Sequence, residues 1–271
     1  MSTKEPTASE RHVMIRLGER SFGIPVDIVA EMVQIGRLTT MPQTSPHLRG
    51  VMLVRGESVA VHDLRALLGM QPLPLEVADL KASMRAREQD HRNWIEELER
   101  SAIEGRPFTL AIDPHKCAFG RWYDTFQSRN TLLQGHLRRF NEPHQRVHAV
   151  AAEVDQLVRA GNLDHALARI EATRARELGE MILLFEQLQV LLDAASTEIA
   201  VILLSPSGER IAYTVDLVES VQDLHAASES EVASIGGAPL GQRCAFYGPQ
   251  REIALLLDAH DLLEPDRLRA A

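Results

Sequence analysis

The clearest chemistry in this chain comes from three histidines and one cysteine in its middle third. His144 and His148 are four residues apart, a spacing that places both imidazoles on one face of a helix. Cys117 begins the glycine-containing aromatic segment Cys117-Ala118-Phe119-Gly120-Arg121-Trp122-Tyr123, and His91 lies upstream in a stretch of helical periodicity. One thiolate and three imidazoles are donors that suit zinc. The sequence therefore predicts a zinc site formed by His91, Cys117, His144 and His148.

Other histidines compete for places in this site. His115 and His136 are the rival ligands, although His115 lies only two residues from Cys117 and would strain the turn if it replaced a donor. His165 has no donor paired with it at helical spacing and is expected to be exposed.

The number of protein donors bears on catalysis. A catalytic zinc usually keeps three protein ligands and an open position for water, whereas four protein ligands close the site. No glutamate lies between His144 and His148 to act as a general base. We therefore predict that the chain is not an enzyme.

A single thiolate among imidazoles makes metal binding sensitive to pH and oxidation, so Cys117 is predicted to be redox-sensitive.

Composition excludes several classes of partner. The 271 residues carry a formal net charge of -9, which argues against binding to nucleic acid or to an anionic membrane surface. No stretch approaches the roughly 20 apolar residues of a membrane span, and the polar first residues lack a signal-peptide core. These features predict a cytoplasmic protein. In that compartment Cys117 and Cys244 are not expected to form a disulfide, and Cys244 is expected to be a buried, inert thiol.

Hydrophobic periodicity divides the chain into three zones. Residues 11–70 alternate as in β-strands, with a hairpin around Gly18-Glu19-Arg20 and another turn at Arg55-Gly56-Glu57-Ser58. The middle zone has helical periodicity. Residues 198–264 return to a strand pattern.

The two strand zones resemble each other. Val26–Gln34 is similar to Val215–Gln222 with one gap, and Val61-His62-Asp63 followed by Leu67-Leu68 is similar to Leu256-Leu257-Asp258 followed by Leu262-Leu263. Two matches in the same order indicate an internal repeat. Two β segments of about 60 residues would each bury little core. We therefore expect them to pack together as one pseudo-symmetric β module interrupted by a helical insert.

The β segments resemble the CheW-like family of bacterial chemotaxis coupling proteins. The resemblance is carried by Gly23-Ile24-Pro25-Val26, by Gly50-Val51-Met52-Leu53-Val54-Arg55-Gly56, by Val61-His62-Asp63-Leu64-Arg65, and by Val215–Val218 and Ala254–Asp258 in the second segment. It implies two SH3-like five-stranded β-barrels that link chemoreceptor tips to a histidine kinase. It also implies that Arg55 is a position of partner coupling and that Gly56 shapes its turn. Leu53 stands where the family usually has an asparagine.

The insert resembles the chemoreceptor zinc-binding (CZB) domain. The resemblance is carried by His91 with Trp94, by the segment Cys117–Tyr123, and by His144 and His148. It implies a four-helix bundle in which these three histidines and Cys117 bind one Zn²⁺. Domains of this family are associated with sensing of zinc and of chlorine-type oxidants.

Together these features predict an α+β protein with two SH3-like barrel halves split by an inserted zinc-binding four-helix bundle. The expected boundaries are a flexible N-terminus at 1–10, a CheW-like module at 11–73 and 197–264, the insert at 74–196, and a tail at 265–271. The predicted function is a chemotaxis adaptor between chemoreceptors and a histidine kinase, modulated by zinc or oxidant. The alternatives are a metal-dependent enzyme with His91 as a labile ligand, and a structural zinc bundle that forms a homodimer. The seam of Leu178, Met181, Leu184 and Leu188 is expected to be intramolecular core rather than a dimer face.

Overall fold

The structure is a computed structural model that describes residues 10–42, 45–228, 231–232 and 243–265. The chain divides into two compact units, one formed by Met1–Leu73 with Thr197–Ala271 and the other by Pro74–Ser196. We call them the β unit and the helical unit. The expected N-terminal and C-terminal tails lie almost entirely outside the described residues.

The regular elements follow the three zones of periodicity. In chain order they are β1 (Glu10–Leu17), β2 (Arg20–Pro25), a 3₁₀ turn (Val26–Ile28), β3 (Val29–Gln34), β4 (Leu48–Val54), β5 (Glu57–Asp63), α1 (Leu64–Leu67), α2 (Leu73–Glu104), α3 (Ala118–Tyr123), α4 (Thr131–Arg138), α5 (Asn141–Arg159), α6 (Leu163–Thr173), a π-helical turn (Arg174–Leu178), α7 (Gly179–Ala195), β6 (Ile199–Leu204), β7 (Arg210–Val215), β8 (Leu217–Leu224), β9 (Arg243–Tyr247), β10 (Glu252–Leu256) and α8 (Ala259–Leu263).

The ten strands form two five-stranded sheets. The first has the order β8-β1-β2-β10-β9 and the second the order β3-β6-β7-β5-β4. Each sheet therefore contains strands from before and after the helical unit, so the two sequence segments do not fold as one sheet each. This exchange lets each short segment complete its core with strands of the other.

The sheets are related by the repeat that the sequence predicts. Strands β1 to β5 correspond in order to β6 to β10. Exchanging each strand for its counterpart, for example β1 for β6, converts the strand order of the first sheet into that of the second. Both β5 and β10 lead into a short helix whose first turn is capped by an aspartate, Asp63 for α1 and Asp258 for α8. An aspartate at this position accepts hydrogen bonds from amides that the helix leaves free. The internal repeat is thus confirmed by topology and by capping.

The hydrogen-bonded ladders of both sheets are open, in contrast to the closed barrels that the resemblance implies. Within the described residues β8 and β9 are the edges of the first sheet, and β3 and β4 those of the second. Isolated bridges join Thr39 to Val51, beyond β3, and Ala226 to Ala245, beyond β8. A single bridge is a much shorter contact than a full strand pairing.

Strand β1 is more deeply buried than its alternating sequence suggests. Val13, Ile15 and Leu17 pack in one core cluster, but Met14 on the opposite face is also fully buried. Arg16 is only 7% exposed and forms an ion pair with Glu219 at 2.7 Å. A strand paired on both sides and covered on both faces must satisfy its polar side chains internally.

The helical unit consists of three long helical spans, which are α2, α5 and the continuous run from α6 through the π-helical turn to α7, together with the short α3 and α4. Lys81 near the start of α2 and Asp193 near the end of α7 form an ion pair at 2.6 Å, which places these helix ends side by side. The predicted seam of Leu178, Met181, Leu184 and Leu188 is at most 3% exposed and lies in the core of this unit. Its interpretation as intramolecular core is confirmed.

Among the described residues, no helix combines the length and the apolar character needed to cross a membrane.

Candidate metal centre

The structure brings the four predicted metal-binding side chains together inside the helical unit. His91 lies on α2, Cys117 directly precedes α3, and His144 and His148 lie one turn apart on α5. One potential ligand atom from each side chain lies within 4.8 Å of those of the other three. Three separate parts of the chain therefore converge on one point, which sequence spacing alone could show only for the pair on α5.

Backbone carbonyls orient two of the imidazoles. Nδ1 of His91 lies 2.7 Å from the carbonyl oxygen of Arg87, and Nδ1 of His148 lies 3.1 Å from that of Ala111. Because a carbonyl can only accept, Nδ1 carries the proton in both rings and Nε2 presents its lone pair. Both Nε2 atoms are buried and have no hydrogen-bond partner among the described residues.

Cys117 is held at the same point by the first turn of α3. Its side chain caps that helix and accepts a hydrogen bond from the amide of Gly120 at 3.1 Å. The sulfur lies 3.3 Å from Nε2 of His144 and 3.2 Å from the carbonyl oxygen of Pro114. Two of the four potential ligand atoms, the sulfur of Cys117 and Nε2 of His144, are therefore in direct contact.

Gly120 is required by close packing against the turn before Cys117. A Cβ atom at this position would lie 1.8 Å from the carbonyl oxygen of Pro114. No side chain other than hydrogen fits there unless the backbone moves. The glycine therefore allows the turn before Cys117 to lie directly against α3.

Aromatic rings enclose the histidines. Phe119 is 1% exposed and makes edge contacts with His91 at 5.9 Å and with His144 at 5.0 Å between ring centroids. Phe185 of α7 lies 6.4 Å from His91, and Trp94 lies 4.9 Å from His148. This apolar surrounding has a direct effect on protonation.

Burial favours the neutral form of all three imidazoles. It lowers the pKa of His144 to about 2 and that of His148 to about 4, with neighbouring histidines adding to the effect. It also lowers the pKa of His91. Burial raises the pKa of the Cys117 thiol, and the amides of Gly120 and Phe119 act in the opposite direction. The histidines are therefore ready to bind a metal at neutral pH, whereas the cysteine needs a cation nearby to become a thiolate.

These features fit zinc. Two buried Nε2 lone pairs lack partners, a third lies beside the sulfur, and the donors are one soft and three borderline ligands. Without a metal, the two orphaned nitrogens would represent an uncompensated cost of burial.

The rival residues lie outside this group. His115 is exposed, and its Nδ1 pairs with Asp124 at 2.9 Å. His136 is buried, but its Nε2 donates to the carbonyl oxygen of Leu184 at 2.8 Å. His165 is exposed, and Cys244 is a free cysteine, 2% exposed, on β9. The structure therefore agrees with the expectation that Cys244 is buried and free of a disulfide, and it places the other three histidines outside the metal centre.

A cleft of roughly 320 Å³ opens beside the centre. It is lined on one side by Asp90, Asn93 and Trp94 of α2 and on the other by the segment that contains Ala111, Lys116 and Cys117. Cys117 is half-buried and lines this cleft. Asp90 is the carboxylate in the cleft, and it pairs with Arg87 at 3.3 Å.

The predicted partner-binding residues lie in the β unit at the β4–β5 turn. Arg55 and Gly56 both have positive φ, 50° and 89°, as a tight two-residue hairpin requires. The Arg55 side chain is 76% exposed and forms an ion pair with Glu31 of β3 at 2.9 Å. It projects beside a groove that also contains Met52 and the exposed Leu53.

Several contributors to the metal centre were not predicted. The carbonyl groups of Arg87, Ala111 and Pro114 have no signal in a sequence, because every residue carries the same group. Phe185 is 37 residues beyond His148 and looks like any other apolar residue of a helix.

Residues 91–154 match the chemoreceptor zinc-binding domain, and residues 11–86 match the CheW-like domain. The chain combines a CheW-like domain with a chemoreceptor zinc-binding domain. The zinc-binding match covers all four clustered side chains, and the CheW-like match covers the first β segment and the start of α2. The second β segment lies outside that match, and its strands pair with those of the first segment in both sheets.

Among solved structures, the chain is similar to the scaffolding protein TtCheW from Thermoanaerobacter tengcongensis. The two are 11% identical, with a TM-score of 0.40, and the similarity covers 97% of this chain and 92% of that one. No curated protein matches the chain.

Proposed function

We propose that this CheW-like, zinc-binding protein is a cytoplasmic chemotaxis adaptor that links chemoreceptor tips to a histidine kinase and is modulated at a zinc site in its helical unit. The observation that carries the proposal is the convergence of His91, Cys117, His144 and His148 in a helical unit that interrupts the β unit, whose first segment matches the CheW-like domain. In this proposal the CheW-like module spans 11–73 and 197–264, and the insert spans 74–196.

We further propose that each five-stranded sheet corresponds to one SH3-like barrel of the CheW-like family. In the same proposal the insert corresponds to the four-helix bundle of the zinc-binding domain, and the short α3 and α4 together take the place of its fourth helix. Two isolated bridges support the barrels. Thr39, just after the edge strand β3, bridges to Val51 on the opposite edge strand β4, and Ala226, just after β8, bridges to Ala245 on β9. The exposed Arg55, positioned by Gly56 and held by Glu31, is the proposed contact with receptor or kinase.

We propose that Cys117 is the responsive residue of the site. Bound zinc would stabilise its thiolate, the form that oxidants attack. Cys117 is half-buried and lines the cleft, which is the proposed path of small oxidants to the site. Oxidation of Cys117 to a sulfenic acid would remove one soft donor from the set.

The helices offer a route to the β unit. His91 lies on α2, which follows directly from the first β segment, and its ring lies 6.4 Å from Phe185 on α7, which leads to the second. The Lys81–Asp193 ion pair joins the start of α2 to the end of α7, which are the helix ends that connect to the two β segments in the chain. A displacement of His91 would therefore act on the two helices through which the insert is connected.

The test uses a reconstituted array of chemoreceptor tips, kinase and this protein. We expect the wild-type chain to bind about one zinc and to change kinase output after mild hypochlorite. Cys117→Ala should lose zinc affinity and this response, whereas the matched control Cys244→Ala should retain both. A Cys117→Ala protein with unchanged zinc content and unchanged response to oxidant would contradict the proposal.

A metal-dependent enzyme is the second candidate, and the cleft beside the centre is the observation that favours it. In that case His91 would be a labile ligand and a water would take its place. Retention of zinc by His91→Ala, together with hydrolysis of model esters by the wild type, would favour this alternative. The pairing of Asp90 with Arg87 argues against a free general base there.

A structural zinc bundle used for homodimerisation makes a different prediction. The seam of α7 is already used in the core, so a dimer would need another surface, such as the face with the exposed Leu183 and Val190. A mass of two chains, reversible unfolding of the insert by a chelator and no response to oxidant would favour this function.

A further inference from the structure

Trp94 and a histidine of the metal centre share one backbone oxygen as hydrogen-bond acceptor. Its indole Nε1 donates a hydrogen bond to the carbonyl oxygen of Ala111 at 2.8 Å. The same oxygen accepts from Nδ1 of His148 at 3.1 Å. A carbonyl oxygen has two lone pairs, so it can accept both bonds at once. The tryptophan on α2 and the histidine on α5 therefore share one acceptor.

This oxygen belongs to a segment that has no regular structure of its own. Ala111 lies between the end of α2 and the turn before Cys117, where no helix or strand holds the backbone. Trp94 is 5% exposed, and its ring contacts Phe108 of the same segment edge-on at 4.9 Å. Trp94 thus fixes this segment to α2 through a hydrogen bond at one point and an aromatic contact at another.

The orientation of His148 depends on where this oxygen lies. While Nδ1 of His148 is bonded to the Ala111 carbonyl, Nε2 on the other side of the rigid ring is the nitrogen left without a hydrogen-bond partner among the described residues. The ring of Trp94 also packs against that of His148 at 4.9 Å. Groups that hold the second nitrogen of a histidine ligand commonly change metal affinity by about 10- to 100-fold when they are removed.

We propose that Trp94 is a positioning residue of the metal centre, which orients His148 by holding the Ala111 carbonyl group with its indole N–H. The inference rests on the proposed ligand set. Helix α2 then supplies both the donor His91 and the indole of Trp94, which orients the donor His148 on α5. The segment that leads to Cys117 is anchored by the same contact.

The test removes the N–H group and keeps the shape of the side chain. Benzothienylalanine is similar in shape to tryptophan and has sulfur in place of the N–H group. The chain has two tryptophans, Trp94 and Trp122. Biosynthetic incorporation into a Trp122→Phe protein therefore changes position 94 alone, and the matched control is Trp122→Phe with ordinary tryptophan. Trp94→Phe, which keeps an aromatic ring without a donor, is a second variant if the analogue protein folds poorly.

Zinc affinity is measured by competition with a chromophoric chelator, and site geometry by the visible spectrum of the protein saturated with Co²⁺. We expect the analogue protein to bind Zn²⁺ about tenfold more weakly than its control and to show an altered Co²⁺ d–d band. A residue that only stabilised the fold would leave the saturated spectrum unchanged. Affinity within about twofold of the control and an identical spectrum would overturn the proposal.

A His148→Ala protein in the same assay separates this inference from the proposed function. Strong loss of zinc in His148→Ala with no effect at position 94 would refute the role of Trp94 alone. Unchanged zinc binding in His148→Ala would refute the ligand set, and the role of Trp94 with it.

Discussion

The metal-binding side chains are positioned by backbone groups of neighbouring residues. Cys117 is positioned by the amide of Gly120, while His91 and His148 are positioned by carbonyl oxygens. Gly120 contributes by having no side chain at all, since the Pro114 carbonyl occupies the place of a Cβ atom. The four metal-binding side chains are therefore only part of what defines the centre.

Replacement of Gly120 by alanine should consequently impair zinc binding. The added methyl group would force Pro114 and α3 apart, and overpacking of this kind costs about 1–3 kcal/mol, equivalent to about 5- to 150-fold in affinity. The matched control is Gly135→Ala, because a Cβ there meets nothing within 4 Å on the exposed side of α4. Chelator competition on both proteins measures the difference. Equal zinc affinity in the two variants would mean that the turn before Cys117 can move without cost.

At the scale of elements, the span from α6 through the π-helical turn to α7 organises the helical unit. Its buried side carries Leu178, Met181, Leu184 and Leu188, and its opposite side exposes Leu183 and Val190. Phe185 extends the buried side to the rings of His91 and Phe119. The same helix thus supports the core and the apolar surrounding that keeps the histidines neutral.

The two sides of α7 should respond differently to truncation. Leu188→Ala should lower the free energy of unfolding of the helical unit by about 2–5 kcal/mol, because it leaves a cavity in a packed core. Val190→Ala, at a position 69% exposed, should change it by no more than about 0.5 kcal/mol. Urea unfolding followed by circular dichroism, with light scattering for molecular mass, checks both. A large loss in Val190→Ala accompanied by a lower mass would instead identify this side as a dimer interface.

For the whole molecule, the important feature is that the β segments before and after the insert share both sheets. The first sheet combines β1 and β2 with three strands from after the insert, and the second combines β3, β4 and β5 with two. Parallel pairings of β2 with β10 and of β5 with β7 join the segments. Neither segment can complete a sheet alone.

Replacing 74–196 by a flexible linker of about ten residues should therefore leave a cooperatively folded β unit that no longer binds zinc. All pairings of its strands lie within that unit, and the ends of the insert are adjacent at Lys81 and Asp193. A chain that stops at residue 196 should instead lose the β unit while keeping helical structure. Hydrogen exchange measures protection of the strands in both proteins. Protected β1 and β2 amides in the shorter chain would contradict the shared-sheet architecture.

Sequence patterns alone predict the three zones of strands and helices, the internal repeat, the chemistry of the four donors and their likeness to a zinc-binding domain. These properties are local or periodic. The spacing of His144 and His148 specifies a shared helix face, and the aspartates Asp63 and Asp258 mark equivalent places in two similar segments. Sequence patterns carry such information because neighbouring residues report on one element at a time.

The strands that share a sheet, and the groups that surround the donors, become visible only in the folded chain. The exchange of strands between segments depends on pairings across more than 120 intervening residues, as between β5 and β7, and apolar strands look alike in sequence. The shared acceptor at Ala111, the contact between Pro114 and Gly120 and the position of Phe185 depend on backbone atoms and on packing between helices. Backbone groups are the same in every residue, so their roles emerge only when the chain is folded.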